Sequence, residues 1–242
     1  MDELDFGQRV ISDVTTVIEI LTGGYCLYRF TGPFLANRRR APWIAVSYIG
    51  VMIFLYKAPP LYLGYFTAYI LGIMAAFTVM CLADRRNFEQ KIFIAMTFLA
   101  LRWLSLGMAE ILYDNVYAYT EKILLSEYPN LWFVLFVIMC ALYQLFEFVF
   151  LLLSICCILR ACKNRQAKMS KRELIMLSTP SVTSLVGYKI MWYYRVFYIA
   201  KNGDNADKYD ALTLLYYAVF IITIVVVIVL YQRIKIKQEE KL

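Results

Sequence analysis

Histidine does not occur in this chain of 242 residues. Its absence excludes imidazole-ligated haem, a His-containing catalytic triad and phosphorylation on histidine within the sequence. Glycine is scarce, with 10 residues. The close groups are Gly23–Gly24 and the spaced Gly64 and Gly72, so no glycine-rich phosphate loop is present. Charged residues make up 18% of the chain, against about a quarter in soluble domains. The six cysteines have no metal-ligand or disulfide spacing. Cys26, Cys81, Cys140, Cys156 and Cys157 lie in apolar runs, and Cys162 lies in a basic loop. No cofactor, no metal and no catalytic residue is expected within the chain. The N-terminal Met1–Asp5 is acidic and lacks the basic region of a signal peptide, so the first apolar stretch is expected to remain as a span.

What the chain has in abundance is apolar surface. Apolar residues make up 62% of it and the mean hydropathy is +0.60, whereas soluble domains carry ~45–50% apolar residues. Seven spans of ~20 residues would use ~140 apolar positions, nearly the whole supply. The expectation is an all-α polytopic membrane helix bundle with little material left for a soluble core. Seven apolar runs can be marked, at 9–35, 41–56, 61–83, 92–110, 131–159, 174–200 and 211–232. Residues 1–232 form the expected seven-span domain, and 233–242 begin a cytoplasmic linker helix. The second run is the shortest, and the Gly23–Gly24 pair marks the first as bent or partly interfacial.

Basic residues set the orientation. Alternate loops on one side hold Arg38–Arg40, Arg85, Arg86, Lys91, six residues between Arg160 and Arg172, and four between Arg233 and Lys241, 16 in all. The other side holds 5: Arg9, Lys57, Lys122, Lys201 and Lys208. The N-terminus is therefore expected outside and the C-terminus in the cytoplasm. The net charge of +7 is mostly a topology signal, and its scatter over separate loops argues against a nucleic-acid partner. The outer loops are short and acidic or polar, so an extracellular ligand would be read by those loops and the outer halves of the helices. On the third run Gly64, Ala68, Gly72 and Ala76 form a small-residue stripe, read first as internal helix packing and second as a dimer face.

Ionisable groups within a bilayer cost ~2.5–3.5 kcal/mol each on insertion scales and mostly face a bundle interior or cavity. Asp13, Glu19, Arg102, Glu147 and Lys189 are read as an intramembrane charge network. Arg102, Glu110, Lys189, Trp192 and Arg195 are read as ligand-binding residues, because aromatic residues crowd the same depth. Such a cleft would suit an extracellular peptide or a small amphipathic molecule. The plain alternative for each charge is an internal ion pair that fixes helix register. A different class of function is a small transporter or channel-like protein that uses these charges as a conduit; no inverted repeat or matched pair of broken helices supports it. A retinal protein is excluded, since the last span has no lysine.

The last span meets no helix breaker, and Tyr231–Leu242 continues with helix-compatible residues. The sequence of Met169–Tyr188, MSKRELIMLSTPSVTSLVGY, resembles a segment of the multi-span sensor regions of Agr-type, GHKL-family histidine kinases of Firmicutes. There a basic loop with Ser and Glu opens a span containing Pro followed by Ser or Gly. Gln232–Leu242 resembles the start of their linker. The resemblance implies a sensor in a bacterial cell membrane that detects an extracellular signal, often a peptide. It also implies transmission through the last helix to a cytoplasmic kinase module absent from this chain. A homodimer would form through the downstream helix. No family binding residue can be carried over, because none sits in a motif that aligns.

Overall fold

The computed structural model describes residues 2–57, 65–84, 86–120, 132–161, 170–194 and 206–239. Of the predicted site residues, Arg195 lies outside this set, as does the side chain of Trp192. The described residues form seven α-helices and no strand. They are α1 (Asp2–Thr31), α2 (Ala41–Lys57), α3 (Tyr65–Ala83), α4 (Phe88–Thr120), α5 (Trp132–Ala161), α6 (Lys171–Tyr194) and α7 (Ala206–Glu239), with 3-10 turns at Gly32–Phe34 and Arg38–Arg40. A helix satisfies its own backbone groups, which is why apolar runs of this length become helices in lipid.

Five helices carry stretches long and apolar enough to cross a bilayer: Gly7–Phe34, Phe66–Ala83, Phe88–Tyr113, Phe133–Arg160 and Leu214–Ile234. The chain is thus a membrane protein. The 17 residues of α2 rise only about 25 Å, short of the ~30 Å hydrocarbon core. In α6, Ser, Thr and Lys189 dilute the apolar run. α4 runs ten residues past the expected end of the fourth span, because Ile111–Thr120 contains no Gly or Pro to stop it. α7 continues through the expected linker boundary to Glu239 as one helix.

The bundle is built around α4. Of its membrane-length stretch 83% is buried, against 17–33% for the other four. It packs on α1, α3, α5, α6 and α7, while α2 closes the side between α1 and α3. At 1.8, the mean hydropathy of this central stretch is below the 2.3 of Phe133–Arg160 and the 2.8 of Leu214–Ile234. A helix that touches protein rather than lipid can hold Thr97, Arg102 and Ser105, all buried. The ring of Phe98 anchors this core, stacked on Phe30 at 6.4 Å and edge-on to Tyr48 at 6.3 Å.

Small residues set how close α2 comes to its neighbours. A Cβ on Gly24 would lie 2.4 Å from Ile49 Cγ1, and one on Gly72 would lie 2.9 Å from Met52 Sδ. α1 runs unbroken through Gly23–Gly24, so the pair serves close approach between α1 and α2. The described part of the stripe on α3 likewise packs inward, with Gly72 against α2 and Ala76 fully buried.

α6 opens with a capping box. Ser170 N donates to Glu173 Oε2 at 2.8 Å and Glu173 N to Ser170 Oγ at 3.3 Å, which caps orphan donors of the first turn. Pro180 has no N–H to give the preceding turn, and nearby hydroxyls take up backbone acceptors: Thr179 donates to Ile175 O at 2.7 Å and Ser184 to Pro180 O at 2.6 Å. The same face of α6 reaches its neighbours through Ser181–Thr97 at 3.4 Å and a Ser184–Thr223 hydroxyl contact to α7.

At the arginine-rich end, the α3–α4 turn is tied to the α1–α2 connection. Asp84 accepts from Arg86 N at 2.9 Å and from Ala36 N at 3.4 Å. Arg40 donates to Ala83 O and Lys91 to the Asp84 carbonyl. The Arg86 amide, aided by the Ala36 amide, holds the Asp84 carboxyl below its ordinary range despite some desolvation.

Two predictions follow from this packing. Gly24→Val should destabilise the detergent-solubilised chain by about 1–3 kcal/mol through overpacking on Ile49. By contrast Gly50→Ala, where an added Cβ meets nothing within 4 Å, should be neutral or stabilising by up to about 1 kcal/mol; paired thermal melts check both. Because the folded-state pKa of Asp84 is depressed, its contribution is complete above the ordinary aspartate value and lost as pH falls through the lower, folded one. Amide exchange at Ala36 and Arg86, corrected for intrinsic rate, should rise in that window and be already raised at neutral pH in Asp84→Ala.

Candidate functional site

One arginine and two glutamates meet at the middle of the bundle. The Nη2 of Arg102 (α4) is 3.0 Å from Glu19 Oε1 (α1), and its Nη1 binds Glu147 Oε1 (α5). Tyr69 (α3) donates its hydroxyl to Glu19 and accepts from Arg102 Nη2 at 3.3 Å, with the guanidinium 5.3 Å from its ring centre. Four helices are thus joined at one point. Arg102 and Glu147 are sealed, 2% and 1% exposed, whereas Glu19 retains 12%. Among the described residues Arg102 Nε and Glu147 Oε2 are buried without a hydrogen-bond partner, so these residues leave the cluster incompletely satisfied.

Beside this cluster lies a cavity of about 690 Å³, within the ~300–1,000 Å³ range of small-molecule sites. Its walls are aromatic: Phe66, Tyr69, Trp103, Tyr113, Tyr143 and Tyr188. Its polar groups are Thr15, Glu19, Glu110, Gln144 and Lys189. Glu19 and Tyr69 belong to both the cavity and the charge cluster, which therefore forms one side of the pocket. Among the described residues, two in the lining hold a buried polar atom with no hydrogen-bond partner, the Trp103 Nε1 donor and the Gln144 Oε1 acceptor. The wall can present both kinds of hydrogen-bonding atom to an occupant if its side chains turn slightly.

The lining residues share one half of the bundle. Apart from Glu19 and Trp103, which stand near the middle of α1 and α4, they come from the first halves of α1, α3 and α5 and the second halves of α4 and α6, on the side away from the Arg38–Arg40 end. Tyr188 carries the wall onward to the last helix. Its ring lies 5.1 Å from Trp103 on one side and 5.8 Å, edge-on, from Tyr216 of α7 on the other. Gly107 makes room for both, since a Cβ there would be 2.7 Å from Tyr188 and 3.4 Å from Tyr216.

The residues marked from sequence separate into groups. Arg102, Glu19 and Glu147 meet. Lys189 stands on the cavity wall, its ammonium 4.6 Å from the Phe66 ring centre and 5.9 Å from that of Trp103. Glu110 lines the same cavity. Asp13 is elsewhere: it accepts from the Tyr56 hydroxyl and lies 3.5 Å from Lys57, with both charged side chains more than half exposed. One turn and a half of helix separates Asp13 from Glu19, enough to place it at the rim of α1 and α2. Trp192 belongs to α6 by its backbone, and Arg195 falls outside the described residues.

Tyr69, Gln144, Tyr143 and Tyr188 were not singled out from sequence. Tyr and Gln give no charge signal within a span, and Tyr is common enough at interfaces to pass as ordinary belt residues. The position of Gln144 three residues before Glu147, on one helical face, was the available clue. Comparison with family models, with curated proteins and with solved structures finds no match.

Removing one partner of a buried ion pair costs about 3–5 kcal/mol, since the remaining charge is left uncompensated. Arg102→Met should therefore lower the stability of the solubilised chain by that amount, and Arg102→Met with Glu147→Gln should recover part of it. Equal melting temperatures for the single and double variants would show that Glu147 does not depend on Arg102 for compensation.

Proposed function

We propose that the chain is the sensing region of a multi-pass receptor in a bacterial cell membrane, with its N-terminus outside. An extracellular short peptide or small amphipathic molecule occupies the aromatic cavity, and the signal leaves through α7 to a cytoplasmic kinase module that this sequence does not contain. The observation that carries this reading is the continuity from cavity wall to last helix, Trp103–Tyr188–Tyr216. The 16-to-5 distribution of basic loop residues supports the orientation, and under it the lining runs outward from mid-depth at Glu19. The likeness of Met169–Tyr188 to Agr-type kinase sensors supports the class of output, and that of Gln232–Leu242 supports a homodimer formed downstream.

A cationic group of a ligand competes with Arg102 for Glu19, the one carboxylate shared by cavity and cluster. An anionic group is met by Lys189. Either occupant changes the balance among α1, α3, α4 and α6 and moves the Tyr188 ring against Tyr216. For a switch the ligand must bind two arrangements unequally. A transporter would need Arg102 and Glu147, buried against each other, to part on every cycle, and this makes a conduit the weaker reading.

The test joins α7 in helical register to a kinase module. Inserting single residues after Arg233 turns the output helix by about 100° each, and activity should rise and fall with that phase. In the same fusion Lys189→Met should shift the half-maximal dose of a stimulating peptide from a short amphipathic panel by about tenfold, or about 1.4 kcal/mol, at unchanged membrane level. Phase-independent output together with wild-type sensitivity in Lys189→Met would sink the proposal, as would uptake of a labelled peptide into vesicles.

A further inference from the structure

The opposite end of the bundle holds a second concavity with different chemistry. It measures about 350 Å³ and lies between the end of α1, the Gly32–Arg38 connection and the end of α5. Arg29, Arg38 and Arg160 line it, and Tyr28, Pro33 and Leu159 complete much of the wall. No carboxylate is among the described lining residues. None of the three arginines makes an ion pair among the described residues, although Arg40 and Lys91 nearby are each engaged with a backbone carbonyl. Three exposed guanidinium groups therefore share one space, an arrangement that suits a single bound anion.

The depth of the pocket narrows the choice of anion. Arg29 stands one turn before Phe34, where the apolar stretch of α1 ends, and Arg160 is the last residue of the apolar stretch of α5. Arg38 lies just beyond, in the 3-10 turn before α2. The cationic groups therefore sit at the border between hydrocarbon and headgroups, with Tyr28 and Leu159 on the hydrocarbon side. Arginine suits a phosphate oxygen pair because its planar fork donates two parallel hydrogen bonds. Basic pockets between helices at the membrane surface bind anionic lipid headgroups by the same chemistry.

We propose that Arg29, Arg38 and Arg160 form a phosphate-binding site, whose occupant is the headgroup of an anionic phospholipid. Bound there, the lipid pins α1 to α5 at the end opposite the aromatic cavity. The site does not depend on the sensory reading, since it would exist in any membrane protein with this bundle.

The full chain, delipidated in a nonionic detergent, is offered phosphatidylglycerol, phosphatidylcholine or inorganic phosphate, and retained lipid is counted by native mass spectrometry. Phosphatidylglycerol should be retained over phosphatidylcholine, and Arg29→Gln/Arg38→Gln/Arg160→Gln should reduce its retention at least about tenfold. Arg39→Gln, on the same turn but outside the pocket lining, should retain it as wild type. Arg160→Gln alone, at an exposed helix end, should show a smaller loss and serves if the triple variant does not fold. Displacement of the lipid by millimolar inorganic phosphate would assign recognition to the phosphate itself, and resistance to displacement would assign it to the lipid headgroup as a whole. Equal retention of the two lipids, or wild-type retention by the folded Arg160→Gln or triple variant, would overturn the site.

Discussion

A guanidinium held in the middle of an apolar bundle constrains everything around it. Arg102 cannot be left bare in hydrocarbon, where an arginine costs ~2.5–3.5 kcal/mol on insertion scales and more by other measures. It therefore needs carboxylates from other helices, and it finds Glu19 on α1 and Glu147 on α5. The helix that carries it, α4, is also the most buried of the five membrane-length helices, so the guanidinium sits where protein surrounds it on several sides.

The cluster and the aromatic cavity are physically one feature seen from two sides. Glu19 and Tyr69 face the cavity and also touch Arg102. An occupant that changes the position of either acts directly on the contact that joins four helices. Among the described residues Arg102 Nε and Glu147 Oε2 have no hydrogen-bond partner, which leaves one donor and one acceptor of the cluster unused. Weak satisfaction at the centre and strong packing around it is the combination from which a two-arrangement element can be made.

Much of the fold was legible from residues. The apolar runs became helices with ends close to those expected, and 41–56 was nearly reproduced as Ala41–Lys57. The longer α4 was missed because hydropathy falls after Glu110, while no Gly or Pro in Ile111–Thr120 ends the helix there. Within the site, Glu19, Arg102 and Glu147 stood out because charge in a span is rare. Asp13, equally charged, lies at the rim with Lys57. Its partner could not be inferred, since a run of hydropathy does not say which residue of one helix faces which of the next. The cavity itself was invisible for the same reason: Tyr69, Tyr143, Gln144 and Tyr188 converge only once α3, α5 and α6 are placed side by side.

The place of Arg102 on α4 also orders the making of the protein. Glu19 belongs to the first helix and is already in the membrane when α4 emerges from the ribosome, so the arginine meets one carboxylate as it arrives. Its second, Glu147, comes with α5, 45 residues later. Between those two moments the nascent bundle holds a half-paired cation and an α4 still exposed to lipid on the sides that α5, α6 and α7 will cover. Pairing with Glu147 completes the compensation of Arg102, and α6 and α7 then cover the remaining sides of α4.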